Sequence, residues 1–93
     1  MTEGEFVAQA RAGGFAEPVP VEHDGAYALG EHSHPFEAFA FITEGEITLD
    51  VAGAQARYGA GDTFRLAPGT PHLEWAGPQG VRYLSARKEP LKP

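Results

Sequence analysis

Apolar and polar positions change rhythm once along this chain, near residue 18. Before that point, "TEGEFVAQARAGG" sets Phe6, Val7 and Ala10 among good helix formers, a spacing that gathers them on one helical face. Thr2 and Glu5 stand in capping-box spacing, where each side chain accepts a hydrogen bond from the other's backbone amide. Gly13-Gly14 supply a stop signal. One short helix over about residues 3–12 follows, with Gly4 in its first turn working against it.

From residue 18 the runs are short and rich in Val, Ile, Phe, Tyr and Thr. They are "VPVEH", "GAYALGEHSH", "AFAFIT", "EITLDVA", "AQARYGAGD", "TFRLAPG", "HLEWAG" and "GVRYLSA". Turn signals separate them at Asp24-Gly25, Glu44-Gly45, Ala52-Gly53, Gly59-Ala60-Gly61 and Pro68-Gly69. About eight short strands at such even spacing predict an all-β sandwich or barrel. No helical pattern of 10–15 residues interrupts them, which argues against a parallel α/β sheet. The expected layout is an N-terminal helix and linker over 1–17, one β domain over 18–87, and a charged, proline-rich flexible tail over 88–93.

Composition narrows the function classes. With 93 residues there is room for one domain, and a chain of this size buries only about 60–70% of its unfolded surface. A homodimer would bury more and is expected. The absence of cysteine removes disulfides, thiolate metal sites and cysteine nucleophiles. A net charge of −6, with seven basic residues clustered only at Arg87-Lys88, argues against a nucleic-acid partner. No apolar stretch approaches the ~20 residues of a membrane span, and the opening residues do not read as a leader. No membrane partner and a cytoplasmic location are therefore expected.

Histidine spacing supplies the chemistry. His32 and His34 lie two apart in "HSHPFEAFAFITEGEI", so on a strand they project to the same face and can close on one ion. Alone, the pair is weak evidence for a metal and reads better as two histidines on a half-exposed strand. A second stretch, "GDTFRLAPGTPH", runs from a Gly-Asp turn through a strand and a proline-glycine turn to His72. Together "GEHSHPFEAFAFITEGEI" and "GDTFRLAPGTPH" resemble the two signature motifs of the cupins, with a 15-residue segment from Glu46 to Ala60 between them. The resemblance spans roughly residues 20–86. It implies an all-β, small antiparallel jelly-roll β-barrel (cupin) with one short N-terminal helix.

Carried over residue by residue, the resemblance implies His32, His34 and His72 as ligands of one divalent transition metal ion: iron, manganese, nickel or zinc. Gly45 matches the glycine that closes the first motif, and Gly69 the glycine of the second. Counting seven back from Gly45, the family's glutamate ligand falls on Ala38, and Glu37 sits one residue early. On a regular strand that slip turns Glu37 outward with Phe39 and Phe41, away from Ala38, Ala40 and Ile42. A bulge at Pro35 would re-aim it toward the metal. Glu37 is thus carried as an open fourth ligand. The motif's proline stands at Pro68 rather than Ala67, its terminal asparagine is Ala76, and neither Gly25 nor Gly30 fits its opening glycine.

Other positions fill out the expectation. Glu74, two residues after His72, is aimed into the same cavity by a regular strand. There it is a candidate catalytic residue, as general base or as a partner of a ligand; the alternative is a rim glutamate. Trp75 and Phe36 read as core or pocket lining. Arg65 and Arg82 read as outward and solvated, His23 as exposed before a turn. Phe39 and Phe41 form a packing face for the helix or for a second subunit. The function expected is a metal-dependent enzyme acting on a small-molecule ligand in the barrel, as oxygenase, isomerase or lyase. The alternatives are a non-catalytic binding module and a barrel whose histidines bind nothing.

Overall fold

The computed structural model describes residues 1–90, so residues 91–93 of the expected tail lie outside the described residues. In chain order the elements are α1 (Glu3–Ala12), β1 (Val19–His23), β2 (Ala28–His32), β3 (Glu37–Val51), β4 (Ala54–Gly59), β5 (Thr63–Leu66) and β6 (His72–Lys88). Helix α1 begins with the expected capping box. The Glu5 amide donates to Thr2 Oγ1 at 3.1 Å, and the Thr2 amide donates to Glu5 Oε1 at 2.9 Å. Phe6 and Ala10 are buried beneath it.

Six strands replace the eight runs, because two pairs of runs fuse. "AFAFIT" and "EITLDVA" form the single strand β3, and "HLEWAG" and "GVRYLSA" the single strand β6. The glycines between them mark a bend within paired strands rather than a chain reversal. Between Ile42 and Ile47 the register of β3 against β6 shifts twice, as bulges do. Gly45 has φ +73° and Gly80 φ +80°, both in the left-handed region open to glycine. A Cβ on Gly45 would run into the Gly80 carbonyl and one on Gly80 into the His23 carbonyl, so both strands cross the bend as glycine.

The bend divides the sheet into two layers. In one, β5 and β1 flank the first half of β3 and the second half of β6. In the other, β4 and β2 flank the second half of β3 and the first half of β6. All pairings are antiparallel, and the path β1-β6-β3-β4 does not close on itself. This is the jelly-roll arrangement expected. Ala38, Ala40, Ile42, Ile47, Leu49, Phe64, Leu66, Ala76 and Val81 fill the space between the layers. On the outer side, Phe39, Phe41 and Ala86 pack with Phe6, Ala10 and Phe15. Helix α1 therefore covers the phenylalanine face left open by the sequence. Among the described residues no helix is long and apolar enough to cross a membrane.

Candidate metal centre

Strand β2 carries His32 to the mouth of the barrel and pairs it directly with His72 at the start of β6. Two residues upstream the register slips between Leu29 and His32. Unbroken alternation would put Leu29 and Glu31 on one face; the bulge turns Leu29 and His32 inward together. The second motif's "APGT" closes as a turn, with the Thr70 amide donating to the Ala67 carbonyl at 3.3 Å and Gly69 at φ +75°. Proline then glycine at the centre is the composition such a turn demands. From that turn the Gly69 amide donates to the His34 carbonyl at 2.7 Å, tying the two motifs together.

The result is a group of four side chains, His32, His34, His72 and Glu74, whose potential ligand atoms all lie within 4.8 Å of one another. The ring orientations are set from behind. His32 Nδ1 lies 2.7 Å from the Gly30 carbonyl and His72 Nδ1 lies 2.9 Å from the Thr70 carbonyl. A carbonyl can only accept, so each Nδ1 carries a proton, and in the neutral ring Nε2 turns a lone pair toward the group. Both Nε2 atoms are buried and have no hydrogen-bond partner. Each is nevertheless close to Glu74 Oε1, at 3.3 Å from His32 and 3.2 Å from His72. Lone pair facing lone pair in a buried setting calls for a cation between them. The donor set of three imidazoles and one carboxylate suits a divalent transition metal.

Glu74 is held by Tyr27, whose hydroxyl donates to Oε2 at 2.7 Å and leaves Oε1 facing the imidazoles. Burial and that carboxylate push the Tyr27 hydroxyl well above the usual phenol range, so it remains a donor. Burial, with a smaller effect from Glu74, raises Tyr83 to about 12. Burial lowers His34, and the neighbouring His32 and His72 lower it further, which favours the neutral, ligating form. The group opens onto a cavity of about 230 Å³. Its polar lining includes His23, Tyr27, Tyr83, Ser85 and Arg87, and its apolar lining includes Leu29, Phe36 and Phe64.

Glu37 is not part of this group. It begins β3 on the outward face, and its carboxylate lies 3.5 Å from Arg65, whose guanidinium sits 3.9 Å over the Phe39 ring. The strand runs regularly from Glu37, so the one-residue slip relative to Ala38 sends the side chain out. Ala38 lines the cavity instead. The acid beside the histidines comes from the second motif, Glu74, which alternation along β6 places on the face of His72 and Ala76. Trp75, between them, turns to the outer surface near Thr48 and Arg57.

Two readings from sequence change. His23 is half-buried rather than exposed: its ring stacks on Tyr27 at 3.6 Å and its Nε2 lies 3.5 Å from the Tyr83 hydroxyl. Arg87, noted above only as half of a basic pair, lies on β6 at the rim of the cavity. In both cases the partner is remote in sequence, and only the β1–β6 and β3–β6 pairings bring it near. Arg65 and Arg82 face outward as expected.

The comparisons agree with this architecture. The family described as "Cupin domain" matches residues 21–86, so the chain belongs to the cupin family. A conserved protein of unknown function from Streptococcus pyogenes superposes with a TM-score of 0.71 at 22% identity, covering 82% of this chain and 66% of its own. The DMSP lyase DddQ from Ruegeria pomeroyi gives 0.71 at 24% identity, covering 83% of this chain and 40% of its own. KdgF from Halomonas sp. gives 0.65 at 20% identity, covering 80% and 69%. At these identities the likeness is one of fold. No curated protein matches the sequence.

Proposed function

We propose that this protein is a small metal-dependent cupin enzyme, with His32, His34, His72 and Glu74 holding one divalent transition metal ion against a small organic molecule in the cavity. The observation that carries the reading is the pair of buried, unpartnered Nε2 atoms whose rings are locked from behind by backbone carbonyls. When bound, such an ion supplies Lewis-acid polarisation of a coordinated oxygen. The rest is work for the chain. The Gly30 and Thr70 carbonyls hold two imidazoles in the ligating tautomer. Tyr27 steadies Glu74 through Oε2 and leaves Oε1 facing the histidines. Leu29, Phe36 and Phe64 supply apolar wall for the carbon skeleton of a bound molecule. The candidate reactions are those of an oxygenase, isomerase or lyase.

One observation favours a second reading, a binding module without turnover. Among the described residues Glu74 is the only acid lining the cavity, and it already belongs to the ligand group. A carboxylate committed to an ion is a weaker base for chemistry. Elemental analysis of tag-free protein, after incubation with iron, manganese, nickel and zinc in turn, tests the metal centre. About one equivalent is expected in wild type and none in a His32→Ala, His34→Ala double variant; metal-free wild type under all four conditions would sink the reading. Among the loaded forms, failure of every small-molecule turnover screen would leave the binding module.

A further inference from the structure

The chain has five arginines and 13 acidic residues, and four of the five arginines are taken up by carboxylates. Arg11 pairs with Glu17, Arg57 with Glu46, Arg65 with Glu37, and Arg82 with both Glu22 and Glu44. Arg87 alone has no carboxylate partner among the described residues, and Arg87 is the arginine that lines the cavity. Among the described residues no other lysine or arginine does.

Its position is built rather than incidental. The Arg87 guanidinium lies 4.5 Å over the ring of Phe36, and the same ring stacks on His34 at 4.9 Å. A guanidinium seated on an aromatic face is steadied there while its N–H edge stays free for a planar anion. Alternation along β6 turns Tyr83, Ser85 and Arg87 to the cavity and leaves Leu84 and Ala86 against the helix side. One wall thus carries two hydroxyls and a cation in line, next to the histidine group. Arg65 is the internal contrast: it too lies over a phenylalanine, Phe39 at 3.9 Å, but on the outer surface with Glu37 as its anion.

We infer that the cavity takes a small carboxylate-bearing molecule, with Arg87 receiving the carboxylate and the His32–His34–His72–Glu74 group meeting its other polar end. This deepens the metal-centre reading and rests on it for the second of those contacts. Arg65 already has its anion in Glu37, whereas Arg87 offers an open place for one, through the paired N–H donors that match a carboxylate.

The test uses full-length protein loaded with zinc and, separately, metal-free protein, titrated with pyruvate, succinate and benzoate and with the matching amides. Wild type is expected to bind at least one acid tenfold or more tightly than its amide. Arg87→Gln should reduce that preference to within twofold, Arg87→Lys should keep part of it, and the zinc content of both should equal wild type. A circular dichroism spectrum matching wild type secures the fold of each variant. Equal binding of acids and amides by zinc-loaded wild type, or an unchanged preference in Arg87→Gln, would overturn the inference and leave the metal centre standing. An Arg87-dependent preference in protein that takes up none of iron, manganese, nickel and zinc would support the anion contact and overturn the metal centre.

Discussion

The two sides of strands β3 and β6 do opposite work. On the side toward α1, Phe39, Phe41 and Ala86 pack with Phe6, Ala10 and Phe15 in one apolar cluster. Phe6 lies 4.7 Å from Phe39 and 5.6 Å from Phe41 between ring centroids, and Phe15 lies 5.7 Å from Phe39. Such aromatic pairs add to ordinary apolar burial. On the inner side the same strands offer Ala38, Ala40, Tyr83, Ser85 and Arg87, where small residues leave room and polar ones line it. Among the largest fully buried side chains, Phe6, Phe39, Ile42 and Ile47 are apolar and His72 is the exception. The outer face is satisfied as it stands, whereas the inner face holds buried nitrogens without partners. Stability and chemistry are thus separated by the pleat of the sheet, one residue apart.

Four changes test that separation. The largest effect on folding is expected on the outer face: Phe39→Ala should destabilise the metal-free protein by about 3–5 kcal/mol in urea unfolding, without reducing the metal bound per folded chain. Next, His72→Ala should lower metal affinity beyond the ~100-fold upper range seen for residues that only support a ligand. In the absence of metal its unfolding midpoint should change far less than that of Phe39→Ala. Equal loss of stability in the two variants would erase the distinction between the faces. Tyr27→Phe removes the hydroxyl that holds Glu74 and should cost about tenfold in metal affinity, read by competition with a chelator. Glu37→Gln, a change on the outer face of the same strand, should alter stability by less than about 1 kcal/mol and leave metal affinity as it was. A loss comparable to that of Glu74→Gln would show that Glu37 reaches the ion after all.

The smallest effect lies farthest from the site. The Thr2 backbone amide and hydroxyl hold the Glu5 carboxyl below its ordinary value of 4.5. The unfolded chain therefore takes up a proton at higher pH than the folded chain does. The capping contribution is fully present above about pH 4.5 and fades as pH falls through the lowered value. Glu5→Gln should flatten that part of the stability–pH profile, measured by thermal unfolding between pH 3 and 6, with metal binding at neutral pH unaffected.

Much of this was legible before any coordinates. The capping box and helix, the antiparallel β class, and the two histidine motifs are local patterns, and the motifs could be read as a cupin because their spacing survives in order. The bends at Gly45 and Gly80 were not legible as bends, since a glycine that reverses a chain and one that lets two paired strands cross look alike in sequence. Glu37 and Glu74 show the same limit at the site. Counting along the motif drew attention to Glu37, next to the expected position at Ala38, while alternation from His72 pointed to Glu74. Arg87 and His23 were underrated because each owes its place to partners on other strands.

The sequence by itself determined which residues can ligate, which faces of each strand are apolar, and where the chain may turn, because these depend on residue type and on periods of two or 3.6. Tertiary structure alone decided which acid joins the three histidines, which arginine is left facing the cavity, and that the phenylalanine face is covered by α1 from the same chain. Those outcomes depend on strand register and on the bulge between Leu29 and His32. A shift of one residue there exchanges inside for outside.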